Sequence, residues 1–251
     1  MNHFLLGLLI FFLTYLLNTF YISVLYHRGL AHGAVTLRPR LRKLVIHTGN
    51  WVTGMNPKAW CCMHRLHHLH SDTPDDPHSP VHCGVLGVML AQLRSYEKSL
   101  RGLIHDQEPY VSLTKDLDFP VHWLNRRRLW FLPYLLHGAI AVGLGSALAS
   151  PWVGFCYAFG LMSHPIQGWM VNALAHKFGY RNFSTPDNSK NNTLVAWLVM
   201  GEGFQNNHHF NPRSAKFSVD TREIDLGYGI CCLAHKFRFL DIHRPEIRTL
   251  E

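Results

Sequence analysis

From Phe4 to Tyr26 the chain reads FLLGLLIFFLTYLLNTFYISVLY and carries no charged residue. At about 1.5 Å of rise per residue, a helix of this length crosses a hydrocarbon core of about 30 Å. The pattern predicts a membrane span over residues 4–26. A secretory leader fits poorly: no Lys or Arg precedes the run, the run is too long, and no small-x-small site follows it. A second stretch, residues 129–176, also lacks Lys and Arg. It holds two apolar segments, 129–149 and 152–171, joined at Ser150-Pro151, a turn signal. These predict a hairpin of two further spans. The competing reading is a buried helical hairpin, because His137, His164 and several glycines dilute the apolar signal.

Between the spans, residues 41–60 are moderately apolar, with Arg38–Lys43 at their start, and predict a shallow interfacial helix. Residues 91–103 place Leu93, Tyr96, Leu100 and Leu103 at helical spacing, with Arg94, Lys98 and Arg101 on the other side. That is a basic amphipathic helix. The fold class is mainly α: an integral membrane protein of about three transmembrane helices, with a polar helical cap in the same single domain.

Charge then orients the spans. Arg28, Arg38, Arg40, Arg42 and Lys43 follow the first. Arg126, Arg127 and Arg128 precede the second, and Lys177 and Arg181 follow the third. The opposite ends, Met1-Asn2-His3 and Ser150-Pro151, carry no Lys or Arg. Cytosolic loops collect such residues, so the N-terminus and the turn are expected outside. Residues 27–128 and 177–251 form the cytosolic cap, most simply at a bacterial inner membrane. Cys61-Cys62 and Cys231-Cys232 are adjacent pairs that suit reduced thiols. The excess of 24 Lys and Arg over 16 Asp and Glu is explained by a basic rim facing anionic lipid headgroups, without nucleic acid.

Histidine changes the picture. There are 19 of them, and eight fall in four groups within the cap or at its edge: HRGLAH (His27, His32), HRLHH (His64, His67, His68), NALAH (His176, with Asn172) and QNNHH (His208, His209, with Gln205). On an α-helix, residues i, i+3 and i+4 share a face. His64, His67 and His68 therefore project together, as do Asn172 with His176, and Gln205 with His208 and His209. His27 and His32 diverge by about 140° on a regular helix. They serve different ions or straddle a fraying end. Burying so many imidazoles without metal would leave many ring nitrogens unpaired. Eight to ten nitrogen or amide ligands exceed the needs of one ion, so two are implied. No CxxC or CxxH motif points to structural zinc. A site sealed by apolar helices suggests a lipid-like substrate, and oxidising an unactivated C–H bond needs a redox metal such as iron, with oxygen.

HRGLAH, HRLHH and GEGFQNNHH, with spans between them, resemble the three histidine boxes of membrane fatty-acid desaturases, most of all the stearoyl (delta-9) acyl-CoA desaturase family. Trp60 before the second box, Asp76-Pro77-His78 after it, and the segment Trp169–Arg181 extend the resemblance over roughly residues 10–240. It implies two iron ions that activate O₂ and remove two hydrogens from an acyl chain. The implied ligands are His27, His32, His64, His67, His68, His176, His208 and His209, with Asn172 acting through a water. Trp60 and Trp169 would line the acyl channel. Asp76 and Glu202 would orient ligand imidazoles by accepting their second N–H.

Two departures from the family's pattern matter. The third box usually begins with His, and here Gln205 stands there as a weaker, neutral amide ligand. Cys61-Cys62-Met63 replace charged residues found before the second box in animal members, which leaves acyl-CoA, acyl-lipid and acyl-carrier-protein substrates open. No His-Pro-Gly-Gly signature marks a fused haem domain. Electrons are therefore expected from a separate ferredoxin or cytochrome b5-type donor with its reductase, docking at Arg213, Lys216 and Arg222. The alternatives are a related hydroxylase, acetylenase or ketolase, or a non-catalytic membrane metal-binding protein disabled at Gln205.

Overall fold

Side-chain caps and prolines set where the helices begin. The computed structural model describes residues 2–243, so the last part of the expected cap, 244–251, lies outside the described residues. Asn2 accepts the Phe4 N–H at 2.9 Å and opens α1 (His3–Thr19), which runs on as a π-helix, Phe20–Ala31. Strand β1 (Val35–Leu37) follows, then α2 (Pro39–Thr53). Asn56 caps α3 (Pro57–His70) by accepting from Ala59 N, and Ser79 caps α4 (Pro80–Ile104) by accepting from Val81 N. In each of these the cap precedes a proline, whose missing N–H costs nothing in the first turn. The short α5 (Trp123–Arg126) leads to α6 (Leu132–Ala147) and α7 (Pro151–Leu161). Next come α8 (His164–Trp169), a second π-helical turn Met170–Leu174, α9 (Thr193–Leu198) and α10 (Gln205–Phe210). Asp225 caps α11 (Leu226–Lys236), and β2 (Leu240–Ile242) closes the described chain.

Strand β2 pairs antiparallel with β1, Val35 opposite Ile242 and Leu37 opposite Leu240. This clip holds the end of the first π-helix against the main core of Val24, Leu25, Tyr26, Leu30, Val45 and Leu240. Helix α7 lies between α1 and α6. The contact is close because glycines face the neighbouring helix: Gly160 meets Phe11 and Thr14, and Gly154 meets the Ala141 carbonyl. Small residues let apolar helices approach where dispersion, not water, drives packing.

Among the described residues, one helical run, His3–Ala31, is long and apolar enough to cross a membrane; Leu132–Ala147 and Pro151–Leu161 are apolar but shorter. Their outward faces are hydrocarbon, with Phe4, Phe12, Leu135, Val142 and Phe155 all exposed.

The structure corrects four expectations. The segment 152–171 is not one helix: α7 ends at Leu161, and Pro165 lies in the first turn of α8, where it has no N–H for the turn before. The segment 41–60 is two helices, α2 and α3, parted at Gly54, which caps α2 at φ 72° in the left-handed region that glycine enters freely. The amphipathic segment 91–103 is the second half of α4 rather than a separate helix. Arg28 does not join a headgroup-facing rim; it is fully buried, for reasons given below.

Gly160→Leu is expected to pry α1 from α7, since even a Cβ there lies 2.6 Å from the Phe11 carbonyl oxygen. Overpacking of this kind costs about 1–3 kcal/mol. Thermal unfolding in detergent should show a lower midpoint, whereas Gly138→Ala, which faces open space, should leave it in place.

Candidate metal centre

The eight box histidines converge, but not box by box. His27, His32, His64, His68 and His208 place their ligand atoms within 4.8 Å of one another, and His67, His176 and His209 do the same beside them. HRLHH and QNNHH each feed both groups, HRGLAH feeds only the five, and NALAH only the three. Neighbours on α3 and α10 point about 100° apart, so His67 leaves His64 and His68, and His209 leaves His208. His27 and His32 belong together, with ring centroids 4.9 Å apart. The reason is the π-helix. Its i to i+5 hydrogen bonding, seen in His32 N–H to His27 O at 3.1 Å, stacks residue i+5 over residue i. Regular α geometry would have split them.

The second π-turn acts in the opposite sense. Asn172 and His176 do not point to the same place: His176 joins the group of three, while Asn172 lines the adjoining cavity and donates to Gln92 Oε1 at 3.5 Å. Gln205 borders the same cavity and donates its amide to the Glu202 carbonyl at 2.8 Å.

The fit to metal rests on unpaired nitrogens. The Nε2 atoms of His67, His176 and His209 are buried and have no hydrogen-bond partner among the described residues. Their Nδ1 atoms each face a carboxylate: His67 to Asp76 at 3.0 Å, His176 to Asp72 at 2.9 Å, His209 to Asp187 at 2.6 Å. A carboxylate accepts, so Nδ1 carries the proton and Nε2 keeps its lone pair. Three lone pairs aimed at one point repel unless a cation lies between them. In the group of five, His27 Nδ1 meets Glu202 at 2.6 Å, and His27 Nε2 lies 3.0 Å from His208 Nε2. His32 Nε2 and His64 Nε2 are 2.7 Å apart.

Charge states agree with ligation. Burial, and then neighbouring imidazoles, push His32, His64, His68 and His208 well below the usual histidine value. Burial brings His209 to about 4 despite Asp187. These rings are neutral at pH 7, the form that binds metal. Burial pulls Asp72, Asp76 and Asp187 upward, but hydrogen bonds from His176, His67 and His209 outweigh it and hold all three carboxyls ionised, Asp76 at about 2.

The cavity has His27 and His64 on one side and the apolar walls Ile22, Met55, Trp60, Leu93, Val171 and Val199. Trp60 also stacks on His64, centroids 5.1 Å apart. Trp169 is not among the lining residues; its indole N–H donates to the Val85 carbonyl at 2.8 Å and ties α8 to α4.

Comparison with known proteins decides the family: residues 2–218 match the fatty acid desaturase family. The chain belongs to that family. It is 32% identical to the sn-1 stearoyl-lipid 9-desaturase of Anabaena variabilis over 209 residues, covering 82% of this chain and 71% of the relative. It is 28% identical to the hex-5-enoyl-[acyl-carrier protein] acetylenase of Moorena producens (strain JHB), over 91% of this chain and 74% of that protein. It is 30% identical to an acyl-CoA 5-desaturase of Anemone leveillei, over 80% of this chain and 60% of that protein. The chain is thus an oxidoreductase acting as a fatty acid desaturase.

Sequence reasoning passed over three parts of this desaturase site. Asp72 sits in the same short loop as Asp76 and is anchored by Ser79 and the Asn188 N–H. Acidic residues are scarce, and three of them directly follow the second box; that was the available signal. Asp187 comes from a distant loop, where flanking Thr185 and Ser189 both donate to it. Arg28 was read as a membrane-end charge. It donates to Glu202 Oε1 at 2.7 Å and to Asp225 Oδ1 at 3.0 Å, and its guanidinium lies 3.8 Å from the Phe217 ring centre.

Two outcomes are expected. Asp187→Asn and Asp72→Asn should each weaken metal binding about 10–100-fold, read by chelator competition. In the metal-free protein, the lowered imidazole pKa values have a definite sign. Below the ordinary histidine value of 6.5, the unfolded chain takes up protons that the folded chain refuses until about 4 at His209. Stability should fall as pH drops through that window, and the carboxylates should add a further loss below their ordinary value of 3.8. A stability that rises on acidification to pH 5 would contradict this.

Proposed function

We propose that this desaturase holds two iron ions, one among His27, His32, His64, His68 and His208 and one among His67, His176 and His209. The observation carrying this is the trio of unpartnered, carboxylate-backed Nε2 atoms beside the group of five. Iron bound there would supply the redox chemistry that turns O₂ on an unactivated C–H bond. The overall reaction is R–CH₂–CH₂–R′ + O₂ + 2e⁻ + 2H⁺ → R–CH=CH–R′ + 2H₂O.

The chain's own part is positioning. Asp72, Asp76, Asp187 and Glu202 hold the Nδ1 protons, fixing each tautomer and ring. Trp60 and the apolar walls exclude water and hold the acyl chain straight against His27 and His64. Asn172 and Gln205 border the same cavity; Asn172 would reach a metal through a water, and Gln205 would offer its amide oxygen directly or through a water. Misplacement of reacting atoms by about 1 Å is costly in such a site, so chain depth selects the bond.

The apolar outward faces support membrane placement of the run 3–31 and of the hairpin α6–α7; the charge pattern supports the cap on the cytosolic side and the N-terminus outside, in a bacterial inner membrane. A separate ferredoxin or cytochrome b5-type donor supplies the electrons, with exposed Arg213 and Lys216 at its dock; Arg222 is already paired with Asp220 at 2.9 Å. The carrier is an acyl-lipid, acyl-carrier protein or acyl-CoA, since the three relatives named above divide among these. Acetylene formation is the second reading, favoured by the relative that covers 91% of this chain. It removes two more hydrogens from an existing double bond at the same site.

Expression in a host lacking its own desaturase should yield unsaturated chains, located by derivatised gas chromatography–mass spectrometry. His67→Ala should abolish them and lower bound iron. Retained activity without that side chain would remove the ligand assignment, and products gaining one oxygen would identify a hydroxylase instead.

A further inference from the structure

The group of five histidines has two sides. His27 and His64 line the apolar cavity, while His32 lines a second opening, a cleft of about 710 Å³ that shares no lining residue with the first. The cleft runs between the end of the first π-helix with β1 and the segment 112–117. Among the described residues, His32 is the one histidine of either group that lines it. His32 is half-buried, and Gly33, next in the chain, is exposed: a Cβ there would meet no atom within 4 Å. Whichever atom of His32 faces the cleft is joined to the imidazole through a few covalent bonds.

The walls of this cleft are cationic. Arg42, Arg65, Lys115 and Arg213 line it, against one carboxylate, Asp116. Two of the four cations are engaged. Arg42 pairs with Asp118. Arg65 pairs with Asp116 at 2.5 Å and donates to the carbonyls of Leu30, Ala31 and Leu113, so it ties the residues just before His32 to the opposite wall. Lys115 and Arg213 are exposed and make no ion pair among the described residues. A cleft lined by one sign of charge focuses the field and speeds the arrival of a partner of the other sign. An anion alone would be held by Lys115 and Arg213 without making use of His32. A protein carrying a redox centre inside an acidic rim uses both.

We propose that this cleft is the electron entry port: a small one-electron carrier protein seats an acidic rim on Lys115 and Arg213 and passes its electrons through His32 to the ion held by the five histidines. The inference rests on the proposed diiron desaturase function and deepens it by naming the port and the face that the carrier presents. Each encounter oxidises the carrier by one electron and reduces the ion by one. Two encounters supply the pair that one double bond consumes. The electrons cross a wall that the acyl cavity does not share, so the cavity stays closed to water while they arrive.

In the test, a plant-type ferredoxin and a cytochrome b5, each reduced beforehand, are mixed without oxygen with the iron-loaded protein, and reoxidation of the carrier is followed by its absorbance. Lys115→Glu with Arg213→Glu should slow the second-order reoxidation about tenfold or more, and added salt should slow the wild type but scarcely that variant. Arg101→Glu with Arg127→Glu, an equal charge change on exposed residues outside the cleft, should leave the rate in place. Ser112→Trp, which sets a ring into the cleft without a charge change, should lower the limiting rate at saturating carrier. Photoreduced deazariboflavin, small and uncharged, should reduce the charge variants at the wild-type rate, which shows that they fold and hold iron. If the charge reversal does lose iron, Lys115→Gln with Arg213→Gln decides, with a smaller loss of the same sign expected. Unchanged carrier reoxidation in the cleft charge variants overturns the dock. An unchanged limiting rate in Ser112→Trp overturns entry through His32. A wild type that takes electrons from deazariboflavin but from neither protein overturns the carrier. The expected pattern with no double bond formed in a host removes the desaturase reading and leaves the port. Double bonds with unaltered reoxidation in the variants do the reverse.

Discussion

A buried guanidinium organises the site. Arg28 has no exposed surface, and it joins three parts of the chain: the first π-helix, the turn before α10 and the cap of α11. Its partner Glu202 accepts from His27 Nδ1, and its partner Asp225 accepts the N–H groups of Phe217 and Tyr228. Phe217, lying against Arg28, packs in turn on His27 and His208, with centroids 5.5 Å and 4.5 Å away. Removing one member of a buried charge set costs about 3–5 kcal/mol because the others remain buried. The same network therefore holds the fold and aims two imidazoles of the larger histidine group.

Around that anchor, local helix geometry performs the sorting. Regular α-turns on α3 and α10 send adjacent histidines into different groups, whereas the first π-helix brings His27 and His32 into one. Adjacent histidines of the second and third boxes thus enter different groups, and residues from distant motifs share one. Carboxylates from two loops then fix the tautomers. The group of His67, His176 and His209 does not depend on Gln205: its three rings are each held from behind, and Gln205 is engaged with the Glu202 backbone.

The cavity divides along its length into two chemical regimes. Near the histidines it is walled by Trp60 and aliphatic side chains, which exclude water and leave the imidazoles neutral. At the other end it meets Gln167, whose hydrogen bonds to Ser163 and Thr19 are internal, and His164.

Local regularities were legible in the residues themselves. Charge-free runs located the apolar helices, and the four histidine groups pointed to a desaturase and to histidines gathered in one place. These signals are short-range: they depend on hydropathy summed over a few turns and on spacing within one helix. Tertiary structure alone decided how the histidines divide, because that division depends on π-turns that no simple periodicity reveals and on rings arriving from four separate segments. It also decided that Arg28 is buried rather than at a membrane rim, that Asp72 and Asp187 back His176 and His209, and that the Trp169 indole bonds to the Val85 carbonyl. Each of those outcomes depends on a partner far away in the chain. The desolvation that makes a charge or a lone pair consequential exists only once the fold has closed around it.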